Sequence, residues 1–216
     1  MESSQGEGRS LAVPKQLLWL AGALALMWGI EILDTFVLDD FLQGGGIHPR
    51  RVDGLDGILW APLLHAGFGH IIGNSVPFLV LGGLVALRGL RPWLTVTLTV
   101  VVVGGAATWL FARTGNHIGA SGVVFGYLGY LVGAAFFERS FKAVALALVA
   151  GFFYWGLVFG LLPSGDVSWE GHLFGALAGV VAAKFTAQRM RDEQPVATTA
   201  TAGTTSSRRW YEPPEL

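Results

Sequence analysis

The chain has 216 residues, 52% hydrophobic and only 13% charged, with a net charge of −1. Soluble domains carry about 25% charged residues, so an ordinary soluble fold is excluded, and the lack of a basic block excludes a nucleic-acid binder. The chain has no cysteine, which excludes disulfides, cysteine-ligated zinc or iron–sulfur sites and a thiol nucleophile; no HExxH occurs to support a zinc protease, and neither cofactor nor metal is expected.

Residues 1–13 are polar and contain Gly and Ser, and read as a disordered N-terminus. Six apolar spans follow, at 17–38, 68–87, 92–112, 118–137, 141–162 and 169–187. Runs of about 20 apolar residues cross a hydrocarbon core of ~30 Å. Helices do so while satisfying their own backbone hydrogen bonds. The expected architecture is an all-α integral membrane protein, a six-helix bundle over 14–189. The first span does not read as a cleavable signal peptide, because its apolar core is long and no small-residue cleavage site follows. Residues 190–216 are rich in Thr, Ala, Ser and Pro, cannot build a core, and read as a disordered tail. Trp210 and Tyr211 in that tail are assigned no contact.

Lys/Arg bias sets the orientation. With the N-terminus inside, eleven basic residues fall on the cytoplasmic side. The outer side receives three, Arg50, Arg51 and Arg113. Both termini are then cytoplasmic, in what is expected to be the cell membrane. The connection 39–67 is long and lies outside. It contains Phe41, Leu55, Ile58, Leu59, Trp60 and Leu63, which suit a membrane interface.

Spans two, four and six run in the same direction, so their first residues share one depth. His70 and Asn74 lie on span two at i and i+4, on one helix face. Ser121 opens span four and His172 opens span six. Each lies within about 5–10 Å of its helix's outer end. Gly171, Gly175 and Gly179 recur every four residues on span six; Gly122 and Gly126, then Gly129 and Gly133, do so on span four. Such stripes let membrane helices pack closely. If the stripes face each other, Ser121 and His172 come within hydrogen-bond reach, as a nucleophile with its base. Taken alone, a serine in a membrane helix is usually packing material or bonds to a carbonyl one turn back. Glycine stripes are common to membrane helices of every function, and His70 with Asn74 can be a simple interhelical pair. An ionisable group inside a membrane is costly, however, and usually functional. Ser, His, His and Asn at one level, facing one long loop, are harder to explain as packing.

The stretches "HAGFGHIIGN" (65–74), "GASG" (119–122) and "GHLFGALAG" (171–179) resemble the rhomboid intramembrane serine proteases. The resemblance covers roughly 17–187, with three motifs in order on the right spans. It implies that Ser121 is the nucleophile and His172 the general base, then acid. It also implies that His70 and Asn74, with the Ser121 N–H, form the oxyanion hole. His65 matches a further family histidine, with a structural role. Gly119 is implied to permit the close turn before the serine, and Gly122 tight packing after it. Phe125 stands where relatives often carry a tyrosine stacked on the histidine; it keeps the flat face and loses the hydroxyl. The physics agrees: a helix N-terminus favours a developing negative charge, and one oxyanion donor typically contributes about 3–4 kcal/mol. Asp166 and Glu170 read as solvated loop charges, so a dyad without a carboxylate is expected.

Many relatives carry a Trp-Arg pair in the first loop. Here the loop reads "HPRR", with no tryptophan before Trp60. Glu31 and Asp34 are expected to face the interior or the headgroups, with no role assigned. The expected activity is endopeptidase cleavage of transmembrane substrates that unwind near their outer ends. Their access would lie between spans two and five, past Phe152, Phe153, Tyr154 and Trp155. The competing readings are a rhomboid-like protein without activity that binds membrane clients, a transporter with a midplane site, and a haem protein using His70 and His172. Both Ser121 and His172 are present, which opposes the first. The polar groups lie at the outer end, without repeat symmetry, which opposes the second. Absorption spectra would decide the third.

Overall fold

The computed structural model describes residues 14–165 and 167–192. The readings of the N-terminus, the tail with Trp210 and Tyr211, and Asp166 lie outside the described residues. Among the described residues, five helices are long and apolar enough to cross a bilayer. They are α1 (Lys15–Val37), α2 (Phe68–Ala86), α3 (Leu90–Phe111), α4 (Ser121–Glu138) and α5 (Phe141–Leu161). Among the described residues the protein is a helical, multi-pass membrane bundle. The sixth long helix, α6 (Trp169–Asp192), does not reach the same apolarity. The cause is its position. It carries Glu170 and His172 in its first turn and basic residues in its last. Its buried face is Gly175, Ala178, Gly179, Ala182 and Ala183, small residues chosen for helix contact rather than for lipid. Large apolar side chains such as Phe36, Phe141 and Phe152 are exposed on the bundle's perimeter. In water they would drive association; in a bilayer they meet the solvent they suit.

The central contact is α4 against α6. A Cβ added at Gly175 would overlap the carbonyl of Gly122, and one at Gly179 the carbonyl of Gly126. Gly129 abuts the Ala176 carbonyl in the same way. The expectation for Gly122 needs correction. A Cβ there would sit 3.5 Å from the Gly171 oxygen, an ordinary contact. The crowding falls on its partner Gly175, whose Cα points at the Gly122 backbone. On its other side α4 meets α3, which has a π-helical turn at Val100–Gly104. Gly126 leaves room for Val100 there.

The long first loop is ordered by short helical turns at Phe41–Gly45, Val52–Gly54, Gly57–Trp60 and Ala61–Leu63. Its missing Trp-Arg pair is replaced across the fold. Trp109, at the end of α3, donates its indole N–H to the Arg51 carbonyl at 2.8 Å and accepts the Arg50 N–H at 2.9 Å. The Arg50 guanidinium donates to the Ala112 carbonyl at 2.6 Å. Phe41, Leu55, Leu59 and Trp60 remain exposed, while Ile58 and Leu63 turn partly inward. Glu31 and Asp34 face the interior and are buried. Asp34 accepts the Leu42 N–H at 2.7 Å, tying the loop to α1.

At the opposite end of the bundle, Arg88 is buried in an ion pair with Glu138 and donates to the Tyr130 hydroxyl at 3.0 Å. Removing one member of a buried pair strands the other's charge, at about 3–5 kcal/mol, whereas apolar replacement of both is often neutral. Arg88→Ala is therefore expected to lower the thermal midpoint in detergent strongly. The Arg88→Met/Glu138→Leu double variant should recover most of it. Equal midpoints for wild type and Arg88→Ala would show that the pair contributes nothing.

Candidate active site

The approach to α4 is a tight turn. Gly119 has φ +111°, a conformation that favours glycine. A Cβ there would also lie 2.6 Å from His70 Nε2. The Gly119 N–H donates to the Ala61 carbonyl at 2.9 Å and the Ala120 N–H to His65 Nε2 at 3.3 Å. The helix then begins at Ser121, so the Ser121 N–H belongs to the first turn, where N–H groups have no intrahelical acceptor.

The Ser121 Oγ lies 2.8 Å from His172 Nε2. On the other side of the ring, His172 Nδ1 lies 2.8 Å from the Gly160 carbonyl. A carbonyl only accepts, so Nδ1 carries the proton in the neutral ring. Nε2 is then the acceptor of the serine hydroxyl, the tautomer a general base requires. The Phe125 ring stacks on the imidazole, with centroids 4.2 Å apart and planes 8° apart. A Cβ on Gly160 would press on both rings, 2.8 Å from Phe125 and 3.3 Å from His172 Nδ1. His172 is thus oriented by one backbone carbonyl and one aromatic face.

His70 and Asn74 both point toward Gly119, beside the serine. His70 Nδ1 accepts the Ala66 N–H at 3.2 Å, which leaves the proton on Nε2, the atom facing the turn. Asn74 donates one amide hydrogen to the His70 carbonyl at 3.0 Å and keeps a second. These groups line a cleft of about 820 Å³ that also contains Ser121, Phe125 and His172. Its walls are Gly69 and Gly73 from α2 and Gly156, Leu157 and Gly160 from α5. Phe152, Phe153 and Trp155 are exposed away from it, so the cleft face of α5 is glycine and leucine rather than aromatic.

Glu170 is a correction. It is buried at the start of α6, not solvated; one carboxylate oxygen accepts the Arg113 N–H at 3.3 Å and stands 3.7 Å from its guanidinium. Arg113 offsets its charge, and Glu170 makes no contact with the imidazole. The Gly160 carbonyl was not legible in the sequence, because any residue supplies a carbonyl. His117 and Ser168 were legible in principle. Each lies four residues before a member of the Ser121–His172 pair.

His65 is almost fully buried before α2, 5.1 Å from the His70 ring. Burial first, and then His70, holds its pKa down at about 4, against a smaller opposing hydrogen bond at Leu63. The unfolded chain takes up this proton near 6.5 and the folded chain near 4, so the unfolded state binds more protons in that window. Stability therefore rises with pH between 4 and 6.5, by about 3 kcal/mol from this residue. Thermal midpoints across that range should climb more steeply in wild type than in His65→Gln. Parallel curves would refute the assignment.

The chain matches the Rhomboid domain family over residues 55–189. It is 40% identical over 184 residues to an uncharacterized protein of Mycobacterium tuberculosis, covering 78% of this chain and 77% of that one. It is 39% identical over 185 residues to an uncharacterized protein of Mycobacterium leprae, covering 78% and 73%.

Proposed function

This chain belongs to the rhomboid family, and we propose on that premise that it is an intramembrane serine endopeptidase working through Ser121 and His172. The observation that supports this most is the 2.8 Å approach of the Ser121 hydroxyl to an imidazole nitrogen whose far side is bonded to the Gly160 carbonyl. The Ser121 oxygen attacks a substrate peptide carbonyl while His172 Nε2 takes its proton. The oxyanion is received by the Ser121 N–H, His70 Nε2–H and the free Asn74 amide hydrogen. Collapse expels the amine, protonated by the same Nε2. A water molecule then repeats the sequence and releases the acyl group.

The substrates are other transmembrane proteins, reaching Ser121 between α2 and α5. A peptide bond in an intact helix is shielded by its own backbone, so the cut falls where the substrate helix unwinds. The Lys/Arg bias supports an orientation in the cell membrane with both termini cytoplasmic and the cleft toward the outer face.

The test is a fluorophosphonate probe with purified protein in liposomes, alongside a single-span model substrate. Labelling at Ser121 with cleavage of the substrate is the expected result. A wild type labelled no more than Ser121→Ala, with no turnover, would overturn the enzyme reading and leave the client-binding one.

A further inference from the structure

One residue pair outside the proposed chemistry repeats its geometry. His117 Nδ1 lies 2.6 Å from Ser168 Oγ, and the two residues are 51 apart in sequence, the same separation as Ser121 and His172. His117 precedes Ser121 by four residues and Ser168 precedes His172 by four. Two His–Ser rungs therefore cross between the same two segments, with the residue types exchanged. The roles of the atoms are fixed. His117 Nε2 lies 3.0 Å from the Arg113 carbonyl, so it carries the proton in the neutral ring, and Nδ1 accepts the Ser168 hydroxyl.

The first rung is closed into a ring of bonds. The Arg113 guanidinium donates to the Ser164 carbonyl at 2.5 Å and the Val167 carbonyl at 2.6 Å. Arg113 thus holds the approach to α6 with its side chain and the approach to α4 through its own carbonyl and His117. His117 is also paired with Ile47 of the first loop by two backbone bonds of 3.0 Å each. The Ser168 carbonyl accepts the His172 N–H at 3.1 Å, passing the register into the first turn of α6. His117 is buried and, unlike Ser168, does not line the cleft.

We infer that the His117–Ser168 rung is a positioning device that sets the Ser121–His172 distance by locking the starts of α4 and α6 together. This rests on the proposed protease reading. The α4–α6 contact below Ser121 is made by glycines, which bring backbones close but fix no side chain. A polar tie one turn before the reacting pair supplies that fixation. A misplacement of about 1 Å at a reacting pair costs about 100-fold in rate, so the rung acts on turnover and not on substrate affinity.

The experiment measures kcat and KM for model-substrate cleavage in liposomes. It compares wild type, His117→Ala, Ser168→Ala, the double variant and His117→Asn. Each single alanine variant is expected to lose about 10–100-fold in kcat with KM unchanged. The double variant should fall no lower than the worse single one, because both break the same bond. His117→Asn, which keeps an acceptor and an N–H donor, should recover part of the loss. Ser168→Ala changes one atom at a helix start, so it keeps the test valid should His117→Ala fail to fold. Wild-type kcat in Ser168→Ala, a change confined to KM, or additive losses in the double variant would each overturn the rung. A wild type that neither turns over nor labels at Ser121 sinks the protease reading and the rung with it. An active wild type matched by its variants sinks the rung alone.

Discussion

Ser121→Ala and His172→Ala are each expected to abolish cleavage of a single-span substrate in liposomes, lowering kcat by about 10⁴–10⁶-fold. The reason the two losses should match is the single bond between them. The serine hydroxyl is a weak nucleophile without a base, and the imidazole has nothing to activate without the hydroxyl. The double variant is then expected to be no slower than either single one, as residues that act as a unit are grossly non-additive. Substrate binding should fall far less than turnover in all three, since Gly69, Gly73, Gly156 and Leu157 line the cleft beside Ser121 and His172 and are unchanged. Turnover within about tenfold of wild type in either single variant would exclude the assignment, since a general base alone contributes more than that.

This expectation differs from that for a triad enzyme. Among the described residues no carboxylate touches His172, and the Nδ1 proton is held by a neutral carbonyl. A carbonyl fixes the tautomer and orientation but offers the imidazolium no full counter-charge. Phe125 adds a flat aromatic face at 4.2 Å, whose quadrupole attracts a cation by about 0.5–2 kcal/mol. In the proposed reaction, the charge formed on the ring would be stabilised by dipole and quadrupole. The hydroxyl lost relative to a tyrosine at this position does not enter that account.

The helices were legible because lipid demands long apolar runs, and five of them announce themselves. The sixth reads as an apolar span in the sequence too, but its helix falls short of the apolarity of the others because it faces protein. Ser121, His70, Asn74 and His172 were legible because polar groups in a membrane are expensive and these four stand at one depth. The Gly160 carbonyl was invisible, since backbone groups leave no mark on residue identity. Glu170 was misread because its partner, Arg113, lies 57 residues away and only the fold brings them together. The loop anchor was hidden for the same reason. The arginine stands in "HPRR" and the tryptophan at the end of α3, so no local motif exists. Gly122 was assigned the crowding that belongs to Gly175, because a glycine stripe shows that helices approach but not which Cα points at which backbone.

That last distinction carries the second large prediction, Gly179→Val. Gly179 lies seven residues, about two turns, after His172 on α6 and touches none of the proposed site groups. A Cβ there would fall inside the Gly126 carbonyl, which is backbone and cannot rotate away. Helix α6 must move outward from α4, with overpacking strain of about 1–3 kcal/mol and loss of the contacts beside it. The same shift pulls His172 from Ser121, since one sits on each helix. A displacement near 1 Å costs about 100-fold in rate, so activity should fall together with the thermal midpoint. Gly151→Ala is the matched control. It lies within α5, where a Cβ meets nothing within 4 Å, and alanine is the better helix former by about 1 kcal/mol. It should leave the midpoint unchanged or higher. If Gly179→Val kept both midpoint and turnover, the α4–α6 contact would not be setting the geometry of the reacting pair, and the account of why these two helices are built from glycine would fall.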